Sequence, residues 1–177
     1  REAMFLGMAT DTGWFRFSNT NAELLQTVAD LVRDGVDPHL VHQGLFQHDR
    51  AARIRLLGRA INSLELMEQE RLACMTLTPE DYKACNADAG DTENIVNEPL
   101  KIGTVSASVI LVDRGEGLIR CSFRSKPPEK EGQPDLDVSA VAFSLGGGGH
   151  RRAAAARIPG EMASVKPRVL DALRKIM

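Results

Sequence analysis

Gly146-Gly147-Gly148-Gly149-His150 constrains this chain more than any other stretch. Four consecutive glycines lose backbone entropy on folding and give nothing to a core. A fold keeps them only where backbone must lie close to something, or where φ must be positive. Two readings are open. The run is a helix C-cap leading into a tight loop, because glycine is the usual residue just past a helix end. Alternatively, its N–H groups form a concave anion nest. His150, Arg151 and Arg152 then add donors and positive charge suited to a phosphate or carboxylate.

The remaining composition limits what such a loop serves. The chain has 177 residues, enough for one domain or two small ones, and 43% hydrophobic with 26% charged residues is ordinary for a soluble globular protein. A formal net charge of −2 argues against holding long nucleic acid by bulk electrostatics. It leaves room for a local basic pocket of Arg120, Arg124, Lys126, Arg151 and Arg152. Cys74, Cys85 and Cys121 are scattered and lack CxxC spacing, as incidental thiols in a reducing cytoplasm would be. No segment approaches the roughly 20 apolar residues of a membrane span. The opening at Arg1, straight into an apolar run, reads as a start inside a larger protein.

Along the chain, Met4–Ala9 is a buried strand or a buried helix segment, ending at Thr10-Asp11-Thr12-Gly13. At the carboxyl end of a parallel strand, Asp11 is placed to ligate Mg²⁺ or Mn²⁺. Otherwise Asp-Thr-Gly makes an Asx-type turn. Thr20-Asn21-Ala22-Glu23 reads as a capping box for a helix with Leu24, Leu25, Val28, Leu31 and Val32 on one face, closed by Gly35. Asp37-Pro38 starts another. His39, His42 and His48 form no recognised metal cluster and read as surface histidines. Residues 49–67 look helical, and the domain boundary is placed at their end, giving domains 1–67 and 68–177. A strand at 71–77 precedes a helix start at Thr78-Pro79-Glu80-Asp81. Asn97 is either a ligand-binding amide or a turn-stabilising residue before Pro99. Residues 104–112 and 117–123 form a hairpin around Asp113-Arg114-Gly115-Glu116. Ser122-Phe123-Arg124-Ser125 closes it with hydroxyls and a guanidinium fork suited to phosphate oxygens. Lys126–Asp135 is a solvated loop. Asp137 caps a short helix running into the glycines, and a last amphipathic helix carries Val165, Val169, Leu170, Leu173 and Ile176.

The ordered string Gly-Gly-Gly-Gly-His-x-x-Ala-Ala resembles the signature of the C-terminal substrate-binding domain of DHH-family phosphoesterases. Thr10–Thr20 is similar to a stretch near the end of the DHH domain in the nanoRNase/pAp-phosphatase branch. Asp91-Thr92-Glu93-Asn94-Ile95-Val96-Asn97 resembles the segment opening that family's substrate-binding half. The resemblance implies an α/β fold: the C-terminal remnant of a parallel-sheet DHH domain, then a smaller mixed-sheet α/β substrate-binding domain. It implies that Asp11 ligates a catalytic metal pair and that Arg124 contacts substrate. Around Arg124 it groups Ser122, Ser125, Asn97, Gly146, Gly147, Gly148, Gly149, His150 and Arg152. It makes Ala153–Arg157 a strand in spite of alanine's helical propensity. Ala156 stands where most relatives carry glycine, a departure expected to narrow the pocket.

The implied activity is hydrolysis of short oligoribonucleotides, or of the 3′-phosphate of a nucleotide such as pAp. Two Mn²⁺ ions, or Mg²⁺, would generate the attacking hydroxide. The ligand would sit opposite the metal at Asp11, with recognition dominated by phosphate. The rest of a complete site is read as missing: an N-terminal His, an Asp-x-Asp pair and Asp-His-His. No catalytic residue is therefore assigned within the chain. A cytoplasmic protein is expected, and a homodimer is compatible with the reading. Two rival readings are a cyclic-dinucleotide phosphodiesterase or RecJ-like exonuclease on the same domains, and a non-catalytic nucleotide-binding module.

Overall fold

The computed structural model describes residues 1–17, 19–128 and 132–177. Ser18 of the Thr10–Thr20 stretch and residues 129–131 of the loop read as solvated lie outside them. The chain forms two compact units, Arg1–Asp49 and Arg50–Met177.

The first unit contributes helices α1 (Glu2–Asp11), α2 (Ala22–Arg33) and α3 (Pro38–Phe46). Of the two alternatives for Met4–Ala9, the helix forms. Phe5 and Ala9, four residues apart and so on one helical face, are buried at 1% and 0% exposure. They pack with Leu31 and Val36, and the Phe5 ring meets Trp14 and Phe15 edge-on at 6.1 and 6.0 Å. Asp11 therefore ends a helix and not a strand. The cap of α2 is Asn21, whose Oδ1 accepts from the Leu24 N–H at 2.9 Å. This displaces the capping box expected at Thr20. Of the expected apolar stripe, Leu31 is buried while Leu25 and Val32 stay exposed. Asp37 caps α3 by accepting from the His39 and Leu40 N–H groups, with Pro38 in the first turn.

The second unit begins with α4 (Ala51–Asn62). The expected helix to Met67 stops at Ser63. The Ser63 hydroxyl lies 2.8 Å from the carbonyls of both Ala60 and Thr76, and it accepts from the Thr76 N–H at 2.9 Å. That ties the helix end to the sheet. Residues Glu65–Met67 become strand β1, antiparallel to β2 (Leu72–Leu77). Helix α5 (Pro79–Cys85) starts in the expected Thr78/Asp81 capping box. Two 3-10 turns, Ala89–Thr92 and Ile95–Lys101, lead to the hairpin of β3 (Ala107–Asp113) and β4 (Leu118–Ser125). Then come α6 (Val138–Ser144), β5 (Gly148–His150), β6 (Ala153–Pro159) and α7 (Met162–Arg174). The reading of 49–67 as the helix leading out of the first domain meets a different packing: α4 lies against β2, α5 and the first 3-10 turn.

The six strands run in the order β1-β2-β3-β4-β6-β5. Only β2 and β3 are parallel, so the sheet is mixed, as expected. One face carries Val109, Ile119, Cys121, Phe123 and Ala154, buried beneath α6 and α7. The other face is covered over β2 and β3, where Met75, Leu77, Ile110 and Val112 cluster with Leu56 of α4 and Tyr82 of α5. Beyond β3 the cover thins to the 3-10 turn Ile95–Lys101, which reaches β4. Along β6, Ala154, Ala156 and Ile158 are buried while Ala155 and Arg157 are exposed. That bare half of the sheet positions the site.

The thiols lie under the packed layers, all three free and buried. Burial pushes the Cys74 thiol up to about 11 and the Cys121 thiol to about 12, from an ordinary 9.0. The unfolded chain thus gives up these protons at lower pH than the folded chain. The corresponding stability is whole below about pH 9 and drains away as pH rises through about 11 to 12. In urea titrations, the alkaline fall in unfolding midpoint should be shallower for Cys74→Ala/Cys121→Ala than for the parent chain. Identical pH slopes would contradict this account.

Candidate functional site: a basic groove on the open sheet face

Strand register decides which side chains meet, because cross-strand partners point to the same face. Pairing through β3, β4, β6 and β5 lays Ser108, Arg124, Ala153 and His150 in one row. The next row is Ile110, Ser122, Ala155 and Gly148, and a third is Val112, Arg120 and Arg157. Ser122, Arg124 and His150 therefore share the bare face, with the alanines of β6 as a low floor between them. A groove of about 620 Å³ lies along this face. Arg114, Arg120, Ser122, Arg124 and Arg157 line its sheet side; Tyr82, Thr92 and Asn94 line the opposite wall. The Tyr82 hydroxyl is hydrogen-bonded to Thr92, and burial raises the phenol pKa above its usual value.

Arg124 is half-buried, and its Nη1 donates to the Phe123 carbonyl at 2.9 Å. Among the described residues no carboxylate pairs with it, and burial pulls its pKa below the ordinary guanidinium value. A partly desolvated cation without a counter-ion is unfavourable. An anion in the groove would relieve it.

The glycine run divides its work. The Gly146 N–H donates to Phe143 O at 3.1 Å and the Gly147 N–H to Ala142 O at 2.8 Å. With Gly146 at φ +78°, this is the Schellman closure of α6. The chain entering β5 then lies flush on β6: a Cβ at Gly147, just before the strand, would stand 2.1 Å from Ala155 O, and one at Gly149 within it 2.5 Å from Ala154 Cα. The close neighbour that forbids a side chain is the protein's own backbone. As the sheet edge, β5 also presents unpaired backbone groups outward.

Other marked residues serve the scaffold. Ser125 is buried, its hydroxyl donating to Leu136 O at 3.0 Å. Arg152 Nη1 donates to Lys126 O at 2.9 Å and to Leu136 O at 3.0 Å, while Nη2 pairs with Asp135. Arg151 pairs with Asp135 as well. Lys126 Nζ donates to Ile102 O at 2.8 Å and borders a separate cavity of about 330 Å³. The five-residue basic pocket expected from sequence thus splits: Arg120 and Arg124 line the groove, and the other three secure the loop. One Asp-x-Asp does occur, Asp135-Leu136-Asp137, contrary to the reading that none is present. Its carboxylates have other tasks. Burial works against Asp135, yet hydrogen bonds from Arg152 and Arg151 hold its pKa below the usual range. Asp137 is lowered by the Ser139 hydroxyl and caps α6.

Asn97 points its amide at Asn94 Oδ1, 3.3 Å away, within the 3-10 turn. Asn94, which sequence reading passed over, is the one that lines the groove. Ala156 faces the packed core opposite Cys121 at 3% exposure. It does not narrow the groove, contrary to expectation. Arg114, Arg157 and Tyr82 were also missed. Alternation from Arg124 through Ser122 and Arg120 was the available signal on β4, but placing Arg157 beside them needs the β4–β6 register.

In the first unit, Asp11 is exposed, its carboxylate without a partner among the described residues. Its carbonyl accepts from Asn19 Nδ2 at 3.2 Å. The turn after it is closed by the Thr12 hydroxyl accepting from the Phe15 N–H at 3.0 Å, in place of the expected Asx turn. His42 meets Trp14 edge-on and Phe46 at a tilt, with ring centroids at 5.1 and 4.7 Å. Among the described residues no three His, Cys, Asp or Glu side chains are placed to hold a metal. One carboxylate alone is not a divalent-cation site.

Fold and groove define a mixed-sheet α/β domain with an open basic face. The chain belongs to the DHHA1 domain family, which it matches over residues 78–177, in agreement with the glycine string and Asp91–Asn97. The chain is 32% identical over 170 residues to a bifunctional oligoribonuclease and PAP phosphatase NrnA of Thermus thermophilus, covering 96% of this chain and 48% of that protein. A protein of the same name from Mycoplasma genitalium is 24% identical over 174 residues, covering 98% and 51%. The chain thus spans about half the length of the curated relatives it matches. Among solved structures, an exopolyphosphatase-related protein from Bacteroides fragilis superposes with a TM-score of 0.86 at 27% identity, covering 98% of this chain and 49% of that one. A pGpG-specific phosphodiesterase, PggH, from Vibrio cholerae shares the fold at TM-score 0.55 and 17% identity, covering 99% and 58%. Among the described residues no helix is long and apolar enough to cross a membrane.

Proposed function

We propose that this chain is the substrate-holding part of a DHH phosphoesterase that hydrolyses short oligoribonucleotides or the 3′-phosphate of a pAp-type nucleotide. The observation that carries the reading is Arg124: half-buried, without a carboxylate partner among the described residues, and on one sheet face with Ser122 and His150. The names of the two curated relatives support the substrate class. In this reading the guanidinium fork grips a phosphate, and Ser122, His150 and the outward amides of β5 add donors. Arg152 and Ser125 act by holding the loop against the sheet. Asn97 acts by shaping the turn that presents Asn94. Asp11 is one ligand of a manganese pair, with Mg²⁺ the alternative, and the remaining ligands lie outside residues 1–177. When bound, such a pair supplies an activated water and neutralises developing phosphate charge. Recognition is governed by phosphate and only weakly by base.

The test is fluorescence titration of the chain with adenosine 3′,5′-bisphosphate and a labelled dinucleotide. Arg124→Ala should weaken both at least tenfold, about 1.4 kcal/mol or more. Unchanged curves would remove Arg124 from the site. The chain by itself should show no Mn²⁺-dependent phosphatase turnover. Turnover that disappears on Asp11→Ala would show a more complete centre than proposed.

A further inference from the structure

We infer that Arg120 and Arg157, with Arg114 beside them, form a second phosphate subsite that holds an oligonucleotide phosphate beyond the one gripped by Arg124. The inference rests on the nucleotide-binding reading above and adds a preference for chain length. Arg120 and Arg157 are direct cross-strand partners on the bare face. Like charges directly opposite in a sheet repel and destabilise it. Neither side chain has an ion pair or hydrogen bond among the described residues, and both residues are exposed. Arg114 adds a third cation on the same groove. Its contact to Glu116 spans 3.8 Å at the surface, and such an exposed pair is worth little. The groove's other carboxylate is Glu93. Three guanidinium groups thus face one end of a cleft with too few acids to neutralise them.

Solvated arginines need no cleft, and scattered ones would splay apart into water. These are fixed side by side by strand pairing, and Tyr82 and Thr92 wall the opposite side. Arg120 lies four residues from Arg124 along β4, about 13 Å at the rise of a strand. One phosphate does not reach both positions, whereas a short oligonucleotide does. A mononucleotide would use the Arg124 end alone.

The experiment compares the 177-residue chain with Arg120→Ser/Arg157→Ser and with Arg124→Ala, using tetra-adenylate and adenosine 3′,5′-bisphosphate as probes over a range of salt. The double variant should bind tetra-adenylate at least tenfold more weakly and the bisphosphate within twofold of the parent. Its slope of log affinity against log salt for tetra-adenylate should fall by about 0.7 for each phosphate that the protein no longer neutralises. Arg120→Lys/Arg157→Lys, which keeps the charge, should recover most of the binding. Equal losses on both probes, or an unchanged tetra-adenylate curve, would overturn the subsite. Arg124→Ala weakening both probes while the double variant shows no length effect would overturn the subsite and leave the first reading standing. A length effect with Arg124→Ala silent would keep the subsite and overturn the Arg124 grip.

Discussion

Gly147→Ala is expected to lower the thermal midpoint by about 6–12 °C and to strip the groove of its β5 edge. A Cβ at Gly147 would lie 2.1 Å from Ala155 O and 2.6 Å from Ala156 Cα. Both are backbone atoms of β6, which is locked on its other side to β4 by seven residue pairs. The strand that yields is therefore β5, losing its ladder to β6. Forcing a methyl into packed structure costs roughly 1–3 kcal/mol and the broken ladder adds to it. For a chain of this size, about 3 kcal/mol corresponds to the stated shift in midpoint. Gly146→Ala is the control. Nothing lies within 4 Å of its Cβ, and only the φ of +78° is strained, a cost on the order of 1 kcal/mol. Calorimetry of the two variants separates steric seating from backbone strain. If Gly147→Ala melts no lower than Gly146→Ala, β5 is not seated on β6 as described.

Arg152→Ala should cost about 2–3 kcal/mol of stability without behaving as a variant of a ligand-binding residue. The guanidinium donates to the Lys126 and Leu136 carbonyls and pairs with Asp135. Its side chain is 32% exposed, so water replaces part of what the substitution removes. Leu136 O also keeps the Ser125 hydroxyl. Each orphaned buried group costs roughly 1–3 kcal/mol, which sets the range. Arg152→Lys should recover only part, because an ammonium does not reproduce a planar fork serving two carbonyls and a carboxylate. Urea midpoints give the stability. Affinity for adenosine 3′,5′-bisphosphate, measured well below the melting range, should fall less than for Arg124→Ala. A loss as large as that of Arg124→Ala, in a variant still folded, would return Arg152 to the ligand.

The stretches read correctly were those whose chemistry is local. Asp37, Thr78 and Asp137 cap helices because their side chains reach N–H groups two or three residues on. The hairpin at Asp113–Glu116 needed only turn residues between two apolar runs. Of the candidate site, half the placement was legible. Ser122 and Arg124 were marked by type and spacing, and His150 by its place after the glycines. Arg152 and Ser125 were marked for the same reasons, yet the structure spends them on Leu136, Lys126 and Asp135.

What the sequence by itself determined is the family, through an ordered glycine string and the Asp91–Asn97 segment, together with the caps at Asp37, Thr78 and Asp137, the hairpin and the mixed α/β class. Only the tertiary structure decided that Met4–Ala9 is a helix, since a short apolar run has no period that separates helix from strand. It also decided that α4 ends at a serine bonded to Thr76, 13 residues on, and that Arg120, Arg124 and Arg157 share one face while Arg151 and Arg152 turn to Asp135. The reason is physical. Caps and turns are settled by bonds within a few residues, whereas the face a side chain takes depends on strand register, and register is set by partners far away in the chain.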